Sequence, residues 1–257
     1  MEHRALGRRG PDVSVLGFGA FKIGRAVGAK YPRPYDVPDE AAAARVLEGV
    51  LELGITLIDT APAYGMSEER IGRHLAHRRH EFVLCTKVGE RFEDGTSSHD
   101  FSPGAIRASI EGSLRRLRTE AVDVLLVHSD GRDEVALAGE RVPETMLALR
   151  DAGLTRLVGF SGKTVAGAEA ALPWADVLMV TYHARDTGHD AVMRRAADAG
   201  LGVLVKKALA SGHHPPAEAI PFAVGHPAVA CVVVGGLDLG HLAENAGLAD
   251  AAARTSG

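Results

Sequence analysis

Short runs of aliphatic and β-branched residues recur along the chain at VSVLGFG, ITLIDT, FVLCTKV, VDVLLVH, RLVGFS, VLMVTY, GVLVKKA and ACVVVGG. Each is apolar at nearly every position, which predicts a strand buried on both faces. Segments with helical spacing lie between them, among them Glu40–Leu53, Pro103–Leu117, Pro143–Ala152 and Ala191–Ala199, and a last one, Leu239–Ala249, ends the series. Buried strands alternating with helices predict a parallel sheet covered by helices. A hairpin precedes the series, running from Arg4–Leu6 through a turn at Gly7–Gly10 to Val13–Leu16. Eight strand–helix units in 257 residues fit a closed (β/α)8 barrel, the TIM-barrel architecture, as one domain over 1–257. A doubly wound open sheet is the alternative that the same alternation allows.

Residues at the element ends sharpen the boundaries. Ser67 before EERIGRHLAH reads as an N-cap, with Glu68 and Glu69 at the positive end of that helix. Ser102 with Pro103 reads as a second N-cap, and Gly54, Gly153 and Gly200 as helix closures. Three stretches without a pattern, Ala26–Pro38, Glu90–Phe101 and Ser129–Val142, follow strand ends. They are expected to be irregular loops rimming the barrel mouth.

Composition removes several function classes. With 46% hydrophobic and 24% charged residues and a net charge of −4, the chain is an ordinary globular one with no basic excess for a nucleic-acid partner. No apolar run nears the ~18 residues of a membrane span, and no signal-like segment opens the chain, so a cytoplasmic setting without a membrane partner is expected. Cys85 and Cys231 lie in apolar runs and read as small core residues. His74, His77 and His80 recur every three residues on an arginine-rich helix face without converging carboxylates, so no metal is expected.

The candidate chemistry sits at strand ends. Asp59 ends ITLID, Lys87 ends FVLCTK, His128 ends VDVLLVH, and Tyr64 follows Asp59 in APAYG. Neighbouring parallel strands lie ~4.8 Å apart, so these side chains are expected at one mouth. Such a set suits carbonyl reduction, in which an oxygen gathering negative charge needs a proton donor. A nearby ammonium favours phenolate and makes a phenol a stronger acid, and a carboxylate holds that ammonium charged. Each residue alone could be structural. Schiff-base chemistry at Lys87 is a rival, which Asp59 opposes by raising the lysine pKa.

The stretch LGITLIDTAPAYGMSEERIGRHL, followed in order by VLCTKVG, LLVHSD, LVGFS and HLAEN, resembles the aldo-keto reductases over roughly Val13 to Gly247. The resemblance implies a catalytic tetrad of Asp59, Tyr64, Lys87 and His128, in which Tyr64 supplies the proton and His128 donates to the substrate oxygen. It also implies an extended NADP(H) across the mouth. Ser161 matches a serine on the nicotinamide amide, while Gly162 stands for the usual asparagine, Met179 for a glutamine and Lys206 for the stacking aromatic residue. Leu209, Ala210, Ser211 and Gly212 resemble a pyrophosphate loop, and Gly19, Ala20 and Gly236 join the cofactor set. Glu244 and Asn245 match the adenine pair. Gly235 and His241 replace basic residues for the 2′-phosphate, so NADPH is favoured on family grounds and NADH is possible. Lys163 and Arg185 are distant candidates for that charge.

Phe21 and Ser129 are expected to line the substrate pocket, and few aromatic residues point to a small or polar carbonyl substrate. The expected assembly is a monomer or small homo-oligomer. The alternative function is a nucleotide-binding regulatory subunit with little turnover, as in channel-associated relatives, which are longer at the N-terminus.

Overall fold

Side chains alternate across a β-strand, so every strand of a closed barrel offers one set to the interior and one to the surrounding helices. The computed structural model describes residues 1–29, 31–32, 34–134, 137 and 141–256. A short hairpin, β1 (His3–Ala5) with β2 (Asp12–Ser14), opens the chain. Eight parallel strands then close on themselves: β3 (Leu16–Gly19), β4 (Leu57–Asp59), β5 (Val83–Val88), β8 (Val122–His128), β9 (Thr155–Ser161), β10 (Val177–Thr181), β11 (Gly202–Lys206) and β12 (Cys231–Val234). A second hairpin, β6 (Glu90–Glu93) with β7 (Thr96–His99), stands between β5 and β8. Closure rules out the open sheet.

A helix follows each barrel strand: α1 (Glu40–Glu52), α2 (Ser67–Leu75), α3 (Pro103–Leu117), α4 (Val142–Asp151), α5 (Val165–Ala171), α6 (Asp190–Asp198), α7 (Pro216–Val224) and α8 (Leu239–Ser256). The apolar residues accordingly form two cores. Leu57, Val83, Cys85, Val124, Leu126, Leu157, Met179, Leu204 and Val233 fill the barrel, closed by Leu6 and Val13 of the hairpin. Ile58, Leu84, Leu125, Val127, Val158, Leu178, Val203 and Val232 face the helices. Both cysteines are buried and unpaired, and burial pushes their thiols up. Among the described residues no helix is long and apolar enough to cross a membrane.

The Ser102 cap forms as expected, accepting from the Ala105 N–H, and Gly54, Gly153 and Gly200 take positive φ. Three expectations change. The VSVLGFG run divides at Val15 between the hairpin and the barrel. Ser67 is the first helical residue and caps nothing; its hydroxyl instead donates to the Ala20 carbonyl and contacts the Thr60 hydroxyl, tying α2 to the mouth. Glu90–Phe101 is no irregular loop, because Asp94 (φ 48°) and Gly95 (φ 81°) make the tight turn of a two-residue hairpin. The expected stretches Ala26–Pro38 and Ser129–Val142 lie partly outside the described residues.

Candidate active site

Along the strands the inward series changes from apolar to polar at the C-terminal end. Leu57 gives way to Asp59, Cys85 to Lys87, Leu126 to His128, Leu157 to Ser161, Met179 to Thr181 and Leu204 to Lys206. Strand register thus gathers the polar layer at one mouth. Lys87 and Asp59 are 1% and 4% exposed, so both charges have left bulk water. The Lys87 ammonium donates to Asp59 Oδ1 at 2.5 Å and to the Thr60 carbonyl at 2.8 Å. Burial works to lower the Lys87 pKa, but Asp59, Tyr64 and Cys85 override it and hold it above its ordinary value. A fixed ammonium is a poor Schiff-base nucleophile.

Tyr64 ends the short 3-10 turn Pro62–Tyr64, which carries the ring back over the polar layer. Lys87 Nζ lies 4.7 Å from the ring centroid. Phe21 and His128 meet the same ring edge-on at 5.2 and 6.0 Å. The phenol is pushed up to about 12, because burial outweighs the pull of Lys87 while Asp59 and Glu90 add to the rise. The expected acidifying effect of the ammonium is therefore present but overridden.

Glu90 was not anticipated. Gly89 turns the chain at φ 101°, and a Cβ there would come 2.5 Å from the Phe101 ring. This turn sets Glu90 Oε2 2.7 Å from His128 Nδ1, while Ser97 Oγ donates to Glu90 Oε1 at 2.6 Å. Arg25 braces the hairpin: its guanidinium lies over the Phe92 ring and donates to the Ala63 carbonyl beside Tyr64. The signal in the sequence was the Asp-Gly pair at 94–95, hidden by a polar hairpin.

Lys206 is the second amine of the layer. Its Nζ donates to Ser161 Oγ at 2.8 Å, and no described carboxylate comes within ion-pairing distance. Burial first, then Lys207 and Lys87, lowers it to about 7. Beyond it the backbone is strained at Lys207, Ala210 and Ser211, which take φ of 59°, 45° and 58° without being glycine. A cleft of about 660 Å³ continues from there, lined by Leu209, Gly236, His241, Glu244 and Asn245. Lys22 lines it too, its amine 4.0 Å from the Tyr31 ring centroid.

The profile of the aldo/keto reductase family matches residues 15–215. The chain belongs to the aldo/keto reductase family. A solved Pseudomonas aeruginosa protein assigned to the aldo-keto reductases is 43% identical, with a TM-score of 0.89 over 97% of this chain and 94% of that one. An aldo-keto reductase from Bacillus halodurans, solved in its holo form, is 25% identical with a TM-score of 0.80, over 100% and 95% of the two chains. Among curated relatives, L-galactose dehydrogenase of Arabidopsis thaliana is 36% identical over 63% of this chain and 49% of its own length. D-threo-aldose 1-dehydrogenase of Pseudomonas sp is 30% identical over 71% and 60%. The chain thus spans about half the length of the first of these curated relatives.

Other positions singled out in this aldo/keto reductase add no free polar side chain to that layer. Met179 is sealed in the barrel interior. The Ser129 hydroxyl is taken up by Asp133 and by the Gly131 N–H. Asp133 also accepts from the Lys163 and Thr164 N–H groups, capping the approach to α5. Gly162 has no room for a side chain, since a Cβ there would meet the Phe160 ring at 2.5 Å and Asp133 at 2.8 Å. Gly19 is register partner to Asp59, and Ala20 accepts from Ser67 through its carbonyl. Of the three spaced histidines, His74 lies 2.7 Å from Glu40, which Arg70 and Arg73 also bind.

Proposed function

We propose that this aldo/keto reductase interconverts an aldehyde, ketone or sugar-like carbonyl and its alcohol with NAD(P)H, Tyr64 acting as general acid and base. The observation that carries this reading is the Lys87 ammonium, pinned by Asp59 and set 4.7 Å from the Tyr64 ring centroid. A bound nicotinamide would supply the hydride. The protein's part is then electrostatic: an oxygen gaining negative charge beside Tyr64 and Lys87 meets a proton and a buried positive charge together. With a phenol near 12, Tyr64 keeps its proton at neutral pH and is ready to protonate a carbonyl oxygen. Asp59 and Lys87 act as positioning residues, and His128 orients the substrate.

The residues present suit an extended dinucleotide. The Lys206–Ser161 pair offers polar groups to the nicotinamide end. The strained loop of Leu209, Ala210, Ser211 and Gly212 suits the pyrophosphate, because backbone held in such conformations often belongs to a ligand clamp. The cleft at Gly236, His241, Glu244 and Asn245 has the volume for a nucleoside. Lys22 is the lysine lining that cleft, whereas Lys163 and Arg185 do not line it. We favour NADPH, with NADH possible, and place Lys22 as the lysine that lines the nucleotide cleft.

The test is reduced-cofactor oxidation with a panel of aldehydes, ketones and sugars, in wild type and Tyr64→Phe. The variant should lose about 100-fold to 10,000-fold in turnover with nucleotide affinity preserved. Turnover that survives in Tyr64→Phe refutes the assignment of the proton to Tyr64. Tight nucleotide binding without turnover by wild type in either direction would favour a regulatory subunit.

A further inference from the structure

The two amines of the polar layer belong to opposite sides of the mouth. In the closed ring of strands β11 lies four places from β5 in either direction, so Lys206 ends the strand across from the Lys87–Asp59 pair. Their fields meet in between: Lys87 lowers the pKa of Lys206, and Lys206 in turn lowers that of His128. Lys87 carries its counter-charge with it at Asp59 Oδ1, so that pair adds no net charge. Lys206 brings none. Beside it β10 ends in Thr181 and β12 in Val234, its Nζ donates to the Ser161 hydroxyl at 2.8 Å, and no described carboxylate pairs with it.

The path of the chain limits what can pass over this amine. Lys206 ends β11, and the strained loop assigned to the pyrophosphate follows it directly. The cleft assigned to the adenosine continues outward from there, at Gly236, His241, Glu244 and Asn245. A dinucleotide so placed has the mouth left for its other end, between Lys206 and Tyr64. That end is a nicotinamide ring, which carries a positive charge when oxidised and none when reduced. Like charges ~5–10 Å apart in a protein oppose each other by about tenfold or more in an equilibrium constant.

We propose that the unpaired Lys206 ammonium discriminates between the redox states of the cofactor, disfavouring the oxidised ring and leaving the reduced one undisturbed, so that the mouth is biased toward carbonyl reduction. This inference rests on the reading of the mouth and cleft as a nicotinamide dinucleotide site. The bias is set by pH. Burial first, then Lys207 and Lys87, lowers Lys206 to about 7, while Asp59 and Asp133 pull the other way. Between about pH 6 and about pH 8.5 the other groups that face it hold their charge: Lys87 is kept above its ordinary value, and His128, at about 4, stays neutral. Tyr64 stays a phenol and Glu90, at about 2, a carboxylate. Below about pH 7 Lys206 is charged and opposes the oxidised ring; above it the charge is gone, and the affinity for the oxidised cofactor recovers.

The test is the ratio of the dissociation constants of NADP+ and NADPH for the full chain, measured by calorimetric titration without substrate from about pH 6 to about pH 8.5. The adenosine and phosphates are common to both, so histidines beside them, such as His241 in the cleft, cancel in the ratio. Wild type should hold NADPH the more tightly at the acid end, and the ratio of NADP+ to NADPH constants should fall about fivefold or more by the alkaline end. Lys206→Met should give a low ratio that pH does not move. Lys206→Arg, charged throughout, should keep the high ratio at every pH. A wild-type ratio that does not fall, or one that falls as far in Lys206→Met, overturns the proposal, and the first of these needs no variant to fold. If both cofactors bind with such a flat ratio, this inference fails alone. If neither binds, the dinucleotide reading fails and takes the inference with it.

Discussion

Replacing Asp59 by Asn removes the counter-charge from a lysine that is 1% exposed, and the cost can be worked along two routes. Lys87 can stay charged without its carboxylate, which costs about 3–5 kcal/mol for a broken buried pair. It can instead give up its proton, which at pH 7 costs up to about 4.6 kcal/mol from an unfolded value near 10.4. The cheaper route sets the loss. Since the Thr60 carbonyl still accepts from Nζ at 2.8 Å, about 3 kcal/mol is expected. The proton gives the change a signature. In wild type the folded pKa of Lys87 is raised, so its contribution is complete below about pH 10 and is lost only at higher pH. In Asp59→Asn burial lowers the folded value below the unfolded one, so the variant gains stability as pH rises from about 7 to 10. Urea unfolding with unchanged slope should show a deficit that narrows over that range. The double variant Asp59→Asn with Lys87→Met should be more stable than either single one. A deficit below about 1 kcal/mol, or one that is equal at both ends of the range, would refute the argument.

Two further predictions use the same accounting. Lys206, lowered to about 7, gives up a proton on folding that the unfolded chain keeps, so wild-type stability rises with pH across about 7 to 10. Lys206→Met should therefore melt a few degrees higher, by about 1–2 kcal/mol after allowance for its partial exposure, with most of the gain below about pH 7; calorimetry showing no gain there would count against it. On the acid side, His128 must stay neutral and Glu90 charged, so stability should fall from about pH 6.5 toward 4 through the histidine and from about 4.5 toward 2 through the carboxylate. Glu90→Gln should flatten the lower part of that decline and His128→Gln both parts, because His128 is what chiefly holds Glu90 down, as read by urea midpoints against pH.

The barrel was legible because both signals it needs are local. Near-continuous apolar runs mark doubly buried strands, and glycines at 54, 153 and 200 close helices just ahead of the next strand. Strand-end positions were legible for the same reason: with period-2 alternation, Asp59, Lys87 and His128 fall on the inward series of β4, β5 and β8. What escaped belongs to segments whose shape depends on distant contacts. Glu90 reaches His128 only because Gly89 bends against Phe101 and the Asp94–Gly95 turn folds a polar ribbon back on itself. Ser129 sits beside His128 in sequence, yet its hydroxyl is drawn to Asp133 four residues on. That Gly162 carries no side chain likewise has a steric cause in Phe160 and Asp133 that no local pattern announces.

The two lysines of the mouth show why residue type alone could not assign these roles. Both end inward series on parallel strands, and burial lowers the pKa of both. Lys87 meets a carboxylate at 2.5 Å, and the interaction of two charges withdrawn from water more than restores what burial took. Lys206 meets a hydroxyl at 2.8 Å, which supplies a hydrogen bond but no charge, so the burial cost stands. One amine is therefore a fixed cation against Tyr64, and the other titrates near neutrality beside Ser161. The difference lies in which strand adjoins each: β4 brings an acid to β5, whereas Thr181 of β10 stands level with Lys206. In a barrel whose mouth is one ring of strand ends, the neighbour in the ring decides the chemistry.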